Sequence, residues 1–391
     1  MRVENLEKDM NIVKEPQLEF LYYQNLKENE KKETLDVLSL FSGCGGMDLG
    51  FEGGFSVIQE SVNEILCPDF INKKLKNGFV ELKKTKFKTV FANDILSDAK
   101  NAWVNYFSKR GNNAENFFQD SIVDLVKMHR SGTSVFPKDV DIVTGGFPCQ
   151  DFSLSGKRNG FNSHKNHKGE LIDDITASIE TRGQLYMWMK EVIEITQPKI
   201  FIAENVKGLV NLDNVKEIIQ NDFSSANGNG YIVLDPQVLH SADYGVPQSR
   251  ERVIFIGIKK SSLKDNALRE LQQQNISEQY NPYPKQTHSF TDQRIDLKHF
   301  VQLKNVFKNL DEPENSNDLS QKSYSKAKFM GKHCQGQTEI KLSSISPTIR
   351  AEHHGNIEFR RLSKENNGQI ESELKKGLKE RRLTVRECAL I

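Results

Sequence analysis

Val140-Asp141-Ile142-Val143-Thr144-Gly145-Gly146-Phe147-Pro148-Cys149-Gln150 is the stretch whose reading sets the fold. An apolar, β-branched run ending in Gly-Gly predicts a buried strand that opens into a loop. Pro148 restricts its neighbours and so fixes where Cys149 is presented, at the carboxyl edge of a sheet. That edge is where open α/β folds keep their ligands and their chemistry. Taken alone, a single cysteine is more often a small buried hydrophobe than a nucleophile. The company this cysteine keeps along the chain changes that balance.

Working outward, short apolar runs recur between helix-like segments at Leu35–Phe41, Thr89–Phe91, Asp141–Thr144, Ile200–Ala203, Ile232–Leu234 and Val253–Ile258. Strands alternating with helices predict an α/β fold, a mostly parallel sheet with helices on both faces. That domain is expected over 34–258, after an N-terminal arm (1–33) whose apolar cluster is Phe20-Leu21-Tyr22-Tyr23. Beyond Lys259 the chain turns rich in Gln, Asn, Ser and Lys without a clear period, which predicts a second, smaller and irregular domain over 259–380.

At 391 residues the chain is long enough for two domains. No apolar run approaches the ~20 residues needed to cross a bilayer, and residues 1–14 carry no apolar signal region, so no membrane association is expected. The five cysteines (Cys44, Cys67, Cys149, Cys334 and Cys388) are scattered and form no CxxC pair, which argues for a reducing cytoplasm and against a zinc knuckle. No metal site is expected: His353 and His354 are adjacent but lack a third ligand at plausible spacing. Net charge is +1, yet Gln321–Ile391 holds 15 Lys+Arg against 8 Asp+Glu. A basic end on an otherwise slightly acidic chain fits a polyanion-facing surface, and equally an ordinary solvated one.

Four more segments carry chemistry. In Leu40-Phe41-Ser42-Gly43-Cys44-Gly45-Gly46-Met47-Asp48, a strand runs into a glycine-rich turn and then a helix, a cradle for a nucleotide-type ligand. Its spacing is neither G-x-G-x-x-G nor the Walker pattern, so dinucleotides and ATP are not first choices; a bare tight turn is the plainer alternative. Phe201-Ile202-Ala203-Glu204-Asn205-Val206 delivers a carboxyl group to the same sheet edge, where it could act as an acid toward a ring nitrogen. In Gln248-Ser249-Arg250-Glu251-Arg252, strand alternation projects Gln248, Arg250 and Arg252 to one side, an anion or carbonyl clamp or else a charged edge. Asp94, ending Val90-Phe91-Ala92-Asn93, can accept ribose hydroxyls or simply cap a helix.

In order, Phe41-Ser42-Gly43-Cys44-Gly45-Gly46, Pro148-Cys149-Gln150, Glu204-Asn205-Val206 and Gln248-Ser249-Arg250-Glu251-Arg252 resemble the DNA (cytosine-5)-methyltransferase family. The resemblance spans about 35–258 and resumes at Arg381-Arg382-Leu383-Thr384-Val385-Arg386-Glu387-Cys388. It implies a Rossmann-like sheet of the S-adenosylmethionine-dependent methyltransferase type, with a target-recognition domain. It implies transfer of a methyl group from S-adenosyl-L-methionine to C5 of a flipped-out cytosine in double-stranded DNA, in a restriction–modification setting.

Carried over by position, Cys149 becomes the nucleophile that attacks C6, Glu204 the group that holds the N3/N4 edge, Arg252 the contact to O2, and Arg250 the support of the nucleophile and its surroundings. The cofactor would lie against Phe41, Gly43, Gly45, Gly46, Asp94, Ile95, Asp120, Ser121, Pro148 and Leu185. DNA would meet Gln150, Ser153, Ser155, Lys157, Arg158, Gln248 and Arg350, with Ser346-Pro347-Thr348-Ile349 and His353-His354-Gly355-Asn356 as further recognition contacts. The resemblance also implies a closing helix after residues 381–391, which the sequence does not contain. The expectation is a truncated chain, or a second polypeptide that supplies the piece. Two rivals stay open: an inactive DNA-binding remnant, and a methyltransferase of the same fold acting on RNA. The extra length over 56–88 has no assigned role.

Overall fold

A computed structural model describes residues 33–148, 184–212, 214–291, 294–325, 338–349 and 358–391. The sequence's central expectation is met by an eight-stranded sheet. Its strands are β1 (Leu35–Leu40), β5 (Phe87–Asn93), β6 (Phe117–Phe118), β7 (Ile142–Gly145), β8 (Ile200–Val206), β9 (Tyr231–Val233), β10 (Gln237–His240) and β11 (Glu251–Lys259). They lie in the order β10-β11-β8-β7-β1-β5-β6, with β9 also on β11. From β6 through β8 all pairings are parallel, while β11 runs antiparallel to β8, β9 and β10. This is the Rossmann-like, mostly parallel α/β architecture that the sequence resemblance implies.

The four residues Val37–Leu40 of β1 are each at most 1% exposed, as a central parallel strand covered on both faces requires. One face carries α3 (Ile122–Arg130), α4 (Leu185–Thr196) and α5 (Val215–Ser224), whose Val126, Met189, Val192 and Phe223 pack on Val143, Phe201 and Phe255. The other face holds α2 (Ser97–Phe107) through Trp103 and Phe107, and further along Leu271 and Tyr283 against Ile256 and Ile258. From β1 the chain moves to β5 and β6 on one side, then crosses to β7 and β8 on the other. The carboxyl ends of β1 and β7 therefore flank a topological switch point, the place where such sheets leave an open crevice.

The length over 56–88 forms a three-stranded antiparallel sheet of β2 (Ser56–Ile58), β3 (Ile71–Lys74) and β4 (Phe79–Leu82), with β4 central. Among the described residues beyond β11 the elements are short. Here β12 (Phe359–Arg361) pairs with β13 (Arg381–Arg382), and a last helix, Val385–Leu390, begins at a capping box of Thr384 and Glu387. Residues 381–391 return toward the first domain on its small sheet: Leu383, Cys388, Leu390 and Ile391 join a core with Ile58, Phe79, Val301, Leu303, Val306 and Phe307.

The basic end proves partly internal. Arg360, Arg361, Arg381 and Arg382 are each no more than 6% exposed. Arg361 and Arg381 share Glu312, Arg360 pairs with Glu373, and Arg381 pairs with Glu387. The local charge excess thus overstates the surface available to a polyanion. No described helix is long and apolar enough to cross a membrane.

Candidate active site

At the end of β1 the backbone passes through positive φ at Phe41 (52°), Gly43 (54°) and Gly45 (87°) before entering α1 (Gly46–Glu52). Such angles are uncommon outside glycine, so Phe41 marks a turn held by its surroundings. A Cβ on Gly45 would lie 2.4 Å from the Phe107 ring and 2.7 Å from Trp103, which excludes any side chain. Gly43 and Gly46 face the other way, with nothing within 4 Å of a built Cβ. The turn has one packed side and one open side.

Asp94, just past β5, binds this turn. Its Oδ2 accepts the Gly43 N–H at 3.0 Å and its Oδ1 accepts the Leu96 N–H at 3.0 Å. Each oxygen keeps a second lone pair for a ligand hydroxyl. Ile95 is 40% exposed beside it, an apolar surface at the mouth of the crevice. Asn93, which sequence reasoning passed over, is buried and donates through Nδ2 to the carbonyls of Phe118 (3.0 Å) and Asp120 (2.8 Å). It thereby fixes the segment that presents the exposed Asp120. Ser121 is buried, and its hydroxyl accepts the Val123 N–H as the N-cap of α3.

Across the switch point, β7 ends in two glycines with different neighbours. A Cβ on Gly145 would sit 2.7 Å from the Met189 sulfur, and one on Gly146 would sit 3.3 Å from Glu204 Oε2. The backbone leading to Pro148 thus passes directly against the Glu204 carboxylate. Asn205 faces the opposite way along β8, and its Nδ2 donates to the Phe147 carbonyl at 3.2 Å in a buried bond. A strand's two-residue period therefore assigns adjacent residues separate tasks, Glu204 toward the crevice edge and Asn205 toward the loop. That alternation was available in the sequence, but no partner for Asn205 was.

Because β11 is antiparallel, its start lies at the carboxyl ends of the parallel strands. Ile254 pairs with Glu204, which puts Arg252 diagonally across from it. Arg252 Nε lies 2.6 Å from Glu204 Oε1, and Arg250 Nη2 lies 3.8 Å from the same oxygen. On the other side Glu251 pairs with Lys207 (2.6 Å) and Ser249 meets His240 (3.2 Å), as alternation predicted. Gln248 accepts the Ile349 N–H at 3.4 Å. Ser346 is wholly buried: its N–H donates to the Pro247 carbonyl and its own carbonyl accepts the Ser249 N–H. Ser346 is thus a tether between the two regions.

Leu185 is 4% exposed at the start of α4, packed in the core with Phe147 and Met189. Cys149, Gln150, Ser153, Ser155, Lys157, Arg158 and Arg350 lie outside the described residues, as do His353 and His354. The described residues therefore bring together two half-sites at one sheet edge: the glycine turn with Asp94, and the Glu204–Arg252–Arg250 cluster beside Gly146.

The sequence profile of C-5 cytosine-specific DNA methylases matches residues 74–391. The chain belongs to that family. Its glycine turn lies ahead of the matched span, which holds the Cys149, Glu204 and Arg252 segments. Among its relatives, the type II methyltransferase M.BsuRI of Bacillus subtilis is 36% identical over 240 residues, covering 60% of this chain and 45% of that protein. M.BspRI of Lysinibacillus sphaericus is 34% identical over 233 residues, 59% of this chain and 46% of the relative. M.NgoFVII of Neisseria gonorrhoeae is 30% identical over 297 residues, 75% and 58% respectively. The chain spans about half the length of the curated relatives it matches. Among solved structures, the Dnmt2 methyltransferase of S. pombe covers 91% of this chain and 85% of its own at 16% identity, with a TM-score of 0.45.

Proposed function

We propose that the chain carries the catalytic apparatus of a DNA (cytosine-5-)-methyltransferase, acting on double-stranded DNA in a restriction–modification setting. The observation that carries this reading is the Glu204–Arg252 pair (2.6 Å), set against the Gly146 backbone three residues before Cys149. A carboxyl group and a guanidinium at one edge, with a cysteine following in sequence, make up the residue set for gripping a pyrimidine ring while attacking it.

The open side of the glycine turn fits S-adenosyl-L-methionine. Gly43 and Gly46 leave room for close approach, Asp94 offers lone pairs to ribose hydroxyls, and Phe41, Ile95, Asp120, Ser121, Pro148 and Leu185 would border the adenine and the methyl end. When bound, S-adenosylmethionine supplies an electrophilic methyl group. The protein's own residues do the rest. A cytosine inside a duplex is unreachable and must leave the stack at a cost of a few kcal/mol. Arg252 then holds O2 and Glu204 holds the N3/N4 edge, so that a proton at N3 drains electron density from C6. The Cys149 thiolate adds to C6, the C5–C6 double bond opens, and C5 becomes the nucleophile that takes the methyl group. Loss of the C5 proton restores the double bond and expels the thiolate. Arg250 supports the pair, and Asn205 holds the loop by the Phe147 carbonyl.

The loop over 153–160, with Ser153, Ser155, Lys157 and Arg158, would close on phosphates, and residues 259–380, with Arg350, would read sequence. An apolar groove of 920 Å³ beside α1 is lined by Leu49, Phe55, Phe70, Tyr106, Leu390 and Ile391. The test is transfer of labelled methyl groups to mixed-sequence duplex DNA with tRNA as competitor. Incorporation into the duplex is expected. DNA binding without incorporation would mark an inactive remnant, and preference for tRNA would overturn the substrate.

A further inference from the structure

Asp48, in the first turn of α1, is a carboxyl group that the reaction above does not use, yet it is wholly buried. Trp103 Nε1 donates to its Oδ2 at 2.7 Å, and Oδ1 is buried with no hydrogen-bond partner among the described residues. A buried carboxyl group with an unmet oxygen costs free energy that an apolar residue at this core position would not. Burial pushes its pKa up to about 6. Its place shows what the group does. Trp103 is itself wholly buried and stacks on Phe107 with ring centroids 4.7 Å apart. This ring pair is the surface on which Gly45 lies, so close that no Cβ fits between. The indole N–H bond fixes the rotation of Trp103, and with it the floor beneath the turn.

We propose that Asp48 is a positioning residue of the cofactor site, holding Trp103 so that the Gly43–Gly46 turn keeps the shape that presents its open side. This rests on the methyl-donor reading of the turn and deepens it. Gly43, whose N–H reaches Asp94, and Gly45, whose N–H reaches the Ser42 carbonyl at 2.9 Å, are the amides that report the shape.

The experiment compares Asp48→Ala, Asp48→Asn and Trp103→Phe with the unmodified chain. Three readings are taken at a temperature where all are folded: thermal midpoint, amide hydrogen exchange by mass spectrometry, and S-adenosylhomocysteine affinity by calorimetry. Asp48→Asn keeps an acceptor for the indole and should retain slow exchange over 41–49 and affinity within about twofold. Asp48→Ala and Trp103→Phe should speed exchange over 41–49 at least about fivefold, without faster exchange in β8 or β11, and weaken affinity by a similar factor. If Asp48→Ala does not fold, Trp103→Phe carries the comparison. Unchanged local exchange in the variants, with only the thermal midpoint lowered, would reduce Asp48 to a core residue and overturn the proposal. If the unmodified chain binds no S-adenosylhomocysteine, the methyl-donor reading fails, while the exchange data still decide the role of Asp48 in the turn.

Discussion

Glu204, Arg250 and Arg252 show how much of a site one residue's neighbours decide. Arg252 and Glu204 are each only about one-fifth exposed, so neither charge is well solvated without the other. Arg252→Ala leaves Glu204 with only the longer contact to Arg250, and methyl transfer should fall at least about a hundredfold, since a missing charge clamp at a reacting centre costs about 2.7–4 kcal/mol. Steady-state kinetics on duplex DNA check this; a loss below tenfold would place the base elsewhere. Asn205→Ala removes the donor to the Phe147 carbonyl and should cost about 1–3 kcal/mol in urea unfolding. It should also lower transfer without weakening S-adenosylhomocysteine binding, because the bond is made by Phe147, two residues before Cys149, and not by the glycine turn. That Glu204 ends a strand and that both arginines share one side of theirs was readable from strand period, whereas the antiparallel return that brings Arg252 to Glu204 was not. Nor were the roles of Asn205, Asn93 and Asp48, because their partners (the Phe147 carbonyl, the Phe118 and Asp120 carbonyls, and Trp103) lie many residues away in sequence.

Among the elements, the strands read best where they are buried on both faces. Leu35–Leu40, Ile142–Gly145 and Ile200–Val206 followed from apolar runs, whereas β6 and β10 did not. β6 has two residues, and β10 has the exposed Gln237 and Val238 at the sheet's edge, so neither leaves an apolar signature. The three-stranded sheet over 56–82 was likewise hidden: Ile71–Lys74 is charged and largely exposed, and its pairing with β4 comes from the fold. At the glycine turn the constraint is steric. Gly45→Ala would drive a methyl group into Phe107 and Trp103 at a positive φ, and should lower stability by about 1–3 kcal/mol. Gly46→Ala, facing open space with ordinary φ, should fold nearly as the parent does, and denaturant titration of the pair separates the two glycines.

For the molecule as a whole, the last stretch of chain is locked by charge as much as by its apolar residues. Burial alone would raise the Glu312 pKa, but the Arg361 and Arg381 guanidiniums outweigh it and hold the carboxyl down at about 2. A carboxyl group depressed in the folded state adds stability that is present above its unfolded value near 4.5 and is lost as pH falls toward 2. Unfolding free energy should therefore drop by about 2 kcal/mol more between pH 5 and pH 3 in the parent than in Glu312→Gln, measured by urea titration across that range. The count of basic residues at this end was plain in the sequence. That four of the arginines point inward was not, because charge composition does not distinguish a buried ion network from a surface.

The proposed reaction, methylation of cytosine at C5, depends on Glu204 and Arg252 at the β8–β11 edge and on Cys149, which follows β7 in sequence. The most direct measurement digests duplex DNA, after incubation with the chain and S-adenosylmethionine, to nucleosides and determines 5-methylcytosine by mass spectrometry. The chain should produce 5-methylcytosine and Cys149→Ser should produce none while still binding S-adenosylhomocysteine. Undiminished 5-methylcytosine from Cys149→Ser, or a methyl group found on any other atom, would contradict the account.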